Sequence, residues 1–205
     1  VVAPLLAVPP PRAAAARHAA PHDPMDDARG TGIGDLKVHS RAAWGARKPR
    51  CGMDRASPNR VTIHHTVTPT NDSMSPQARL RQIQAFHQNT NGWCDIGYNY
   101  LISRDGRVWR ARGAMTVGAH VENANTGNVG ISFMGNHSST PATAKQMCET
   151  AKLVRRLHLD HPAIALTRSD VKGHRQQGST ACPGNALYNQ IDKIVRKSKN
   201  GCDAN

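Results

Sequence analysis

The chain predicts a single α/β domain, with a central mixed β-sheet of about five to six strands flanked by about three helices. Segments of strict apolar–polar alternation recur along it, and segments of helical spacing lie between them. Two of the helical segments also open on a Ser-Pro or Thr-Pro step. Strands that alternate with helices in sequence assemble a layered α/β sheet rather than segregated layers. The 205 residues suit one domain of ordinary size.

Residues 1–35 stand apart from this pattern. An apolar run, Val1 to Val8, is followed by prolines, an alanine run and a Pro/Asp/Gly-rich stretch. It reads either as the tail of a secretory signal, with a small-residue cleavage zone around residues 13–20, or as a flexible low-complexity arm. Neither adds to a core, and no stretch is long enough to span a bilayer. The folded domain is therefore expected over residues 36–200.

Within it, residues 59–67 alternate: Val61, Ile63, His65 and Val67 share one face of a strand, and Thr62, His64 and Thr66 the other. Ser75-Pro76 then supplies an N-cap and a first-turn proline for a helix that ends near Asn89-Thr90-Asn91-Gly92. Leu80, Ile83 and His87 fall on its inward stripe, with Phe86 flanking it. A hairpin over residues 96–111 turns at Arg104-Asp105-Gly106. Residues 128–134 form a further apolar strand. Thr140-Pro141 repeats the cap-and-proline device before a helix to about Leu159, with Ala144, Met147, Ala151, Val154 and Leu157 on one stripe. Residues 170–173 read as briefly extended. Residues 185–198 form a last helix, with Leu187, Ile191 and Ile194 inward and lysines near its C-terminal end, where the helix dipole favours them.

The segment Gly173-His174-Arg175-Gln176-Gln177-Gly178-Ser179-Thr180-Ala181-Cys182-Pro183-Gly184 carries the chemistry. A loop that turns back on itself can bring His174 and Cys182 to one ion. Upstream, the strand over residues 59–67 offers a third donor. Its apolar face goes into the core, so His64, on the polar face, is the candidate ligand, and His65 is packed or at the rim. Two imidazoles and one thiolate, with a fourth position left for water, make up a catalytic zinc site, whereas structural zinc sites are closed by four protein ligands. Metal-assisted hydrolysis is the chemistry this predicts. With Cys182 assigned to a metal, Cys51, Cys94, Cys148 and Cys202 remain. An even number is what an oxidising compartment leaves, and three pairings are open.

The formal charge is +13 and the pI near 10.2. Such a balance attracts acidic polymers, either nucleic acid or the anionic polymers of a bacterial wall. The basic residues are spread along the chain, and there is no nucleic-acid motif, P-loop or dinucleotide fingerprint. A diffuse polyanion is favoured over sequence readout, and no nucleic acid is expected as partner.

Further motifs occur in a fixed order: Arg41-Ala42-Ala43-Trp44-Gly45, Ile63-His64-His65-Thr66, Trp93-Cys94-Asp95-Ile96-Gly97-Tyr98-Asn99-Tyr100, Gly118-Ala119-His120, Gly130-Ile131-Ser132-Phe133-Met134-Gly135-Asn136, Gly173-His174-Arg175 and Thr180-Ala181-Cys182-Pro183-Gly184. Together they resemble the zinc-dependent N-acetylmuramoyl-L-alanine amidases, in the branch of the peptidoglycan recognition proteins, over about residues 38–188. That resemblance implies a fold of the recognition-protein type. It also implies hydrolysis of the amide between the lactyl group of N-acetylmuramic acid and L-alanine of the stem peptide.

The implied ligands of one Zn2+ per chain are His64, His174 and Cys182. Tyr98 matches a catalytic tyrosine that helps orient or deprotonate the attacking water, and Thr180 a residue that steadies the oxyanion. His120 and Asn125 match groove positions that contact the muramyl peptide. His87 and Arg112 are placed on the same groove, with Trp93 and His65 as further candidates to touch substrate. Members of the family that lack the cysteine bind peptidoglycan without cutting it. Cys182 therefore points to a hydrolase, and a non-catalytic recognition protein is the alternative. In related secreted proteins, cysteines placed like Cys51 and Cys94 pair with each other, which leaves Cys148 with Cys202. The implied setting is a secreted or cell-envelope monomer acting on peptidoglycan. One departure stands out: Ala114 and Thr116 occupy positions where many relatives carry tryptophans, which leaves that groove wall barer.

Overall fold

The computed structural model describes residues 34–203. Six strands form one sheet: β1 (Val38–His39), β2 (Arg60–His65), β3 (Tyr100–Ile102), β4 (Val108–Arg110), β5 (Asn128–Phe133) and β6 (Val171–Gly173). Their spatial order is β1-β4-β3-β5-β2-β6, and every neighbouring pair is parallel except the β3–β4 hairpin. Helices α1 (Pro76–Asn89), α2 (Ala144–Asp160), α3 (Asn185–Tyr188) and α4 (Ile191–Asn200) complete the domain. The α/β architecture with a mixed central sheet is the one the alternating pattern predicts. None of the described helices is long and apolar enough to cross a membrane. The arm expected over residues 1–35 lies almost wholly outside the described residues.

Two apolar layers cover the sheet. Val61, Ile63, Tyr100, Ile102, Ile131, Phe133 and Val171 pack with Leu153, Val154, Leu157, Ile191 and Ile194 of α2 and α4. On the other face Trp44, Leu80, Ile96, Leu101, Trp109 and Met134 make a smaller cluster, joined by Ile83 and Tyr98. Burying one such side chain contributes roughly 1.5–3 kcal/mol, so both layers count toward stability. On the same face as the second cluster β2 presents Thr62 and His64, both buried.

Two boundaries differ from the sequence expectation, each for a local reason. Helix α2 begins three residues later than Thr140-Pro141 suggests, because Thr143 is the cap. The Thr143 hydroxyl accepts from Gln146 N at 3.0 Å, and the Gln146 side chain accepts from Thr143 N at 3.1 Å, closing a reciprocal capping box. Ala144 consequently sits exposed at the first turn instead of on the buried stripe. The last helix divides into α3 and α4, because the backbone tightens between them: Gln190 N donates to Leu187 O at 2.9 Å, three residues back, while its side chain accepts from Ala142 N at 2.8 Å. On α1 the inward stripe is Leu80, Ile83 and His87, while Phe86 is 54 % exposed.

Candidate metal centre

Three segments deliver the donors. Strand β2 carries His64 on the face opposite the larger core, β6 ends at Gly173 so that His174 opens a short 3-10 turn, and the following loop returns through Cys182. The return is braced by Arg175, whose backbone N donates to Cys182 O at 2.9 Å and whose guanidinium donates to Ala181 O and Asn185 Oδ1. The donor atoms of His64, His174 and Cys182 all lie within 4.8 Å of one another. Cys182 Sγ is 3.6 Å from His64 Nδ1, and the His64 and His174 ring centroids are 4.6 Å apart.

This donor set fits zinc. Zn–N and Zn–S bonds of about 2.0–2.3 Å in a tetrahedron separate donors by roughly 3.3–3.8 Å; the Cys182–His64 pair at 3.6 Å falls in that range, and the trio spans at most 4.8 Å. Burial, with His120, His174 and His65 nearby, holds His64 well below the ordinary histidine range, and burial lowers His174 too. Both imidazoles are therefore neutral, as ligands must be. Burial pushes the Cys182 thiol up to about 11, against the opposing pull of the His65 N–H and Arg175. Such a thiol ionises at neutral pH only with a cation in its midst.

Tyr98 stands beside this trio, its ring centroid 5.3 Å from that of His64. Burial and the neighbouring Cys182 raise its phenol to about 12, with Ser132 pulling the other way, so the group is a proton donor at neutral pH. The run leading to Tyr98 is firmly held. Asp95 Oδ1 accepts from Gln84 Nε2 at 2.6 Å and Ile96 N at 2.8 Å, Arg41 pairs with Asp95 at 2.8 Å, and Cys94 is bonded to Cys51. The second disulfide joins Cys148 to Cys202. Among the described residues Cys182 is the one free cysteine.

The other candidates divide. His87 stacks near Trp93, with centroids 4.8 Å apart, and near Tyr98 at 5.7 Å, so the three line one wall. Thr180 lies in the return loop, where its hydroxyl accepts from Cys182 N at 3.2 Å and keeps its own hydrogen to donate. Arg112 does not present its charge to the groove. Its guanidinium is buried and donates to Ile96 O, Val117 O and Asp95 O, tying the loop after β4 to the segment before Tyr98. Asn125 is likewise occupied, its Oδ1 accepting from His120 N at 2.8 Å and Val121 N at 2.9 Å. His65 points to the opposite face of β2 and accepts from His137 N at 3.1 Å, apart from the metal donors. His120 is buried against His64.

Two features escaped sequence reasoning. Ser132, buried on β5, is the register partner of His64 and reaches the Tyr98 phenol without a well-formed hydrogen bond. Beneath the centre, Thr62 donates to Asn128 Oδ1 at 2.8 Å, while Gln177 donates to Thr62 and accepts from Asn128. Alternation along residues 128–134 gives Ser132 a face; only the β2–β5 register brings it to His64.

Comparison with known proteins bears on the family and the fold. The family model described as N-acetylmuramoyl-L-alanine amidase (Amidase_2) matches residues 54–185. Peptidoglycan-recognition protein SC2 of Drosophila simulans is 36% identical over 167 residues, covering 76% of this chain and 85% of that protein. An N-acetylmuramoyl-L-alanine amidase of Sus scrofa is 35% identical over 182 residues, 82% of this chain but 29% of the longer relative. Among solved structures, peptidoglycan recognition protein-LE in complex with tracheal cytotoxin, a monomeric diaminopimelic acid-type peptidoglycan, superposes with a TM-score of 0.71 at 32% identity, covering 76% of this chain and 92% of that one.

Proposed function

This chain belongs to the N-acetylmuramoyl-L-alanine amidase family, and from that premise we propose that it is a zinc-dependent amidase cutting the bond between the lactyl carbonyl of N-acetylmuramic acid and L-alanine in peptidoglycan. The observation that carries the reading is the convergence of His64, His174 and Cys182 beside a protonated Tyr98. Zinc held by these three residues would act as a Lewis acid toward the scissile carbonyl and acidify the attacking water. The rest falls to the chain's own groups.

The Thr180 hydroxyl, anchored by Cys182 N yet free to donate, is placed to stabilise negative charge developing on the carbonyl oxygen. Tyr98 holds a proton at its phenol oxygen and can pass it to the departing alanine amine while recovering one from the attacking water. As the C–N bond breaks and the new C–O bond forms, one water is consumed and the proton count closes. Trp93, with His87 tilted behind it, offers an aromatic wall for the sugar or peptide. Secretion or residence in the cell envelope agrees with two disulfides, which persist in oxidising compartments. The excess of positive charge suits acidic wall polymers as a secondary attraction.

The competing reading is recognition without cleavage, which the name of the Drosophila simulans relative keeps in view. A soluble N-acetylmuramoyl peptide separates the two. Mass spectrometry should find free peptide with a new N-terminal alanine, and none after a zinc chelator. A bound but intact peptide would establish recognition and remove the catalytic roles of Tyr98 and Thr180 together.

A further inference from the structure

We infer that His120 is a positioning residue that fixes the ring tautomer of His64, so that His64 presents Nδ1, and not Nε2, to the metal. The inference rests on the zinc reading above for its purpose, but its geometry stands alone. His120 Nε2 lies 3.1 Å from Asn128 O, a carbonyl that can only accept, so Nε2 carries the hydrogen. The ring is buried, 8% exposed, beside the cations Arg112 and Arg60, so a second ring hydrogen would place another charge in a buried, already cationic setting. Its Nδ1 is then a bare acceptor, 3.0 Å from His64 Nε2. His64 must therefore donate from Nε2, which leaves its Nδ1 lone pair facing Cys182 Sγ at 3.6 Å. A ligating histidine that donates its second N–H to a fixed partner follows general practice at metal sites; here the partner is an imidazole pinned by backbone.

The surroundings are built to seat this ring. A Cβ at Gly118 would meet His120 Cδ2 at 2.3 Å, and one at Gly130 would meet the same atom at 2.6 Å. Real Cβ contacts do not come that close, so both glycines are needed for the ring to lie flat against β5. Asn125 fixes the His120 backbone from the other side. His120 and Asn125, groove contacts by resemblance, thus also support the metal centre.

The test combines nitrogen NMR of His64 with zinc affinity by chelator competition, for the wild type, His120→Leu and His120→Asn. The wild type should show the hydrogen on His64 Nε2 with and without zinc. His120→Leu fills the space without an acceptor and should lose that tautomer preference and weaken zinc binding by about 10–100-fold. His120→Asn places an oxygen near the former Nδ1 and should recover most of the loss. A wild-type His64 protonated on Nδ1 would overturn the inference, as would His120→Leu holding zinc within about twofold of wild type. Should the wild type take up no zinc, the amidase reading falls, while the tautomer of the metal-free protein still decides the role of His120.

Discussion

Tyr98 joins the groove wall to the metal centre, and its phenol is the group whose removal is most informative. Tyr98→Phe should reduce turnover by about 10²–10⁴ with KM and zinc content little changed, because the ring still packs and only the proton is lost. Steady-state kinetics on a muramyl peptide would check this, and an unchanged rate would transfer the proton role elsewhere. His87 is informative in another way. Burial, with Arg112 nearby, lowers it to about 4, whereas an unfolded chain protonates its histidines near 6.5. Between those values the unfolded state binds the extra proton, so stability should fall as pH drops from about 6.5 to 4. His87→Gln should make that fall shallower, by up to about 1.4 kcal/mol per pH unit, in denaturation of the metal-free protein. At this scale the sequence was readable where a single strand or loop decides. Alternation set His64 apart from His65, and the loop spacing joined His174 to Cys182. Ser132 and the inward turn of His120 and Arg112 depend on contacts between distant segments, which no local pattern encodes.

The elements were legible wherever cap and period agree, as in α1 with Ser75 accepting from Ala78 N. Helix α2 shows where two signals compete. Thr140-Pro141 and Thr143-x-x-Gln146 both announce a start, and the second prevails because Gln146 also reaches into the sheet. Its side-chain nitrogen donates to Ile102 O and Met134 O at 3.2 Å, reaching carbonyls at the end of β3 and just past β5. Thr143→Ala should therefore cost about 1 kcal/mol in chemical denaturation. Thr140→Ala should cost close to nothing, since Thr140 contributes its backbone oxygen to His137 and that oxygen remains. Equal losses in the two variants would restore the earlier start. Two-residue β1 carries no periodicity to read, and strand order could not be read from any one segment.

For the molecule as a whole, the two disulfides hold what packing alone leaves loose. Cys51–Cys94 braces the segment that presents Trp93 and Tyr98, and Cys148–Cys202 fastens the end of α4 to α2 across 54 residues of sequence. On the chain-entropy view a loop of that length stabilises by roughly 4 kcal/mol. Replacing Cys148 and Cys202 together by serine should lower the melting temperature and leave zinc affinity unaltered, since neither touches the centre. The overall architecture followed from alternation of strands and helices. Which face would carry chemistry followed from the packing: the apolar side chains of β2 join the core under α2 and α4, which leaves His64 on the other face. The most direct measurement is release of new alanine amino groups from insoluble peptidoglycan by the wild type and by Cys182→Ser, with binding to the same material followed in parallel. The expected result is chelator-sensitive release by the wild type, and binding without release by the variant. Release by Cys182→Ser at the wild-type rate, or none from a wild type that binds, would contradict a hydrolase built on His64, His174 and Cys182.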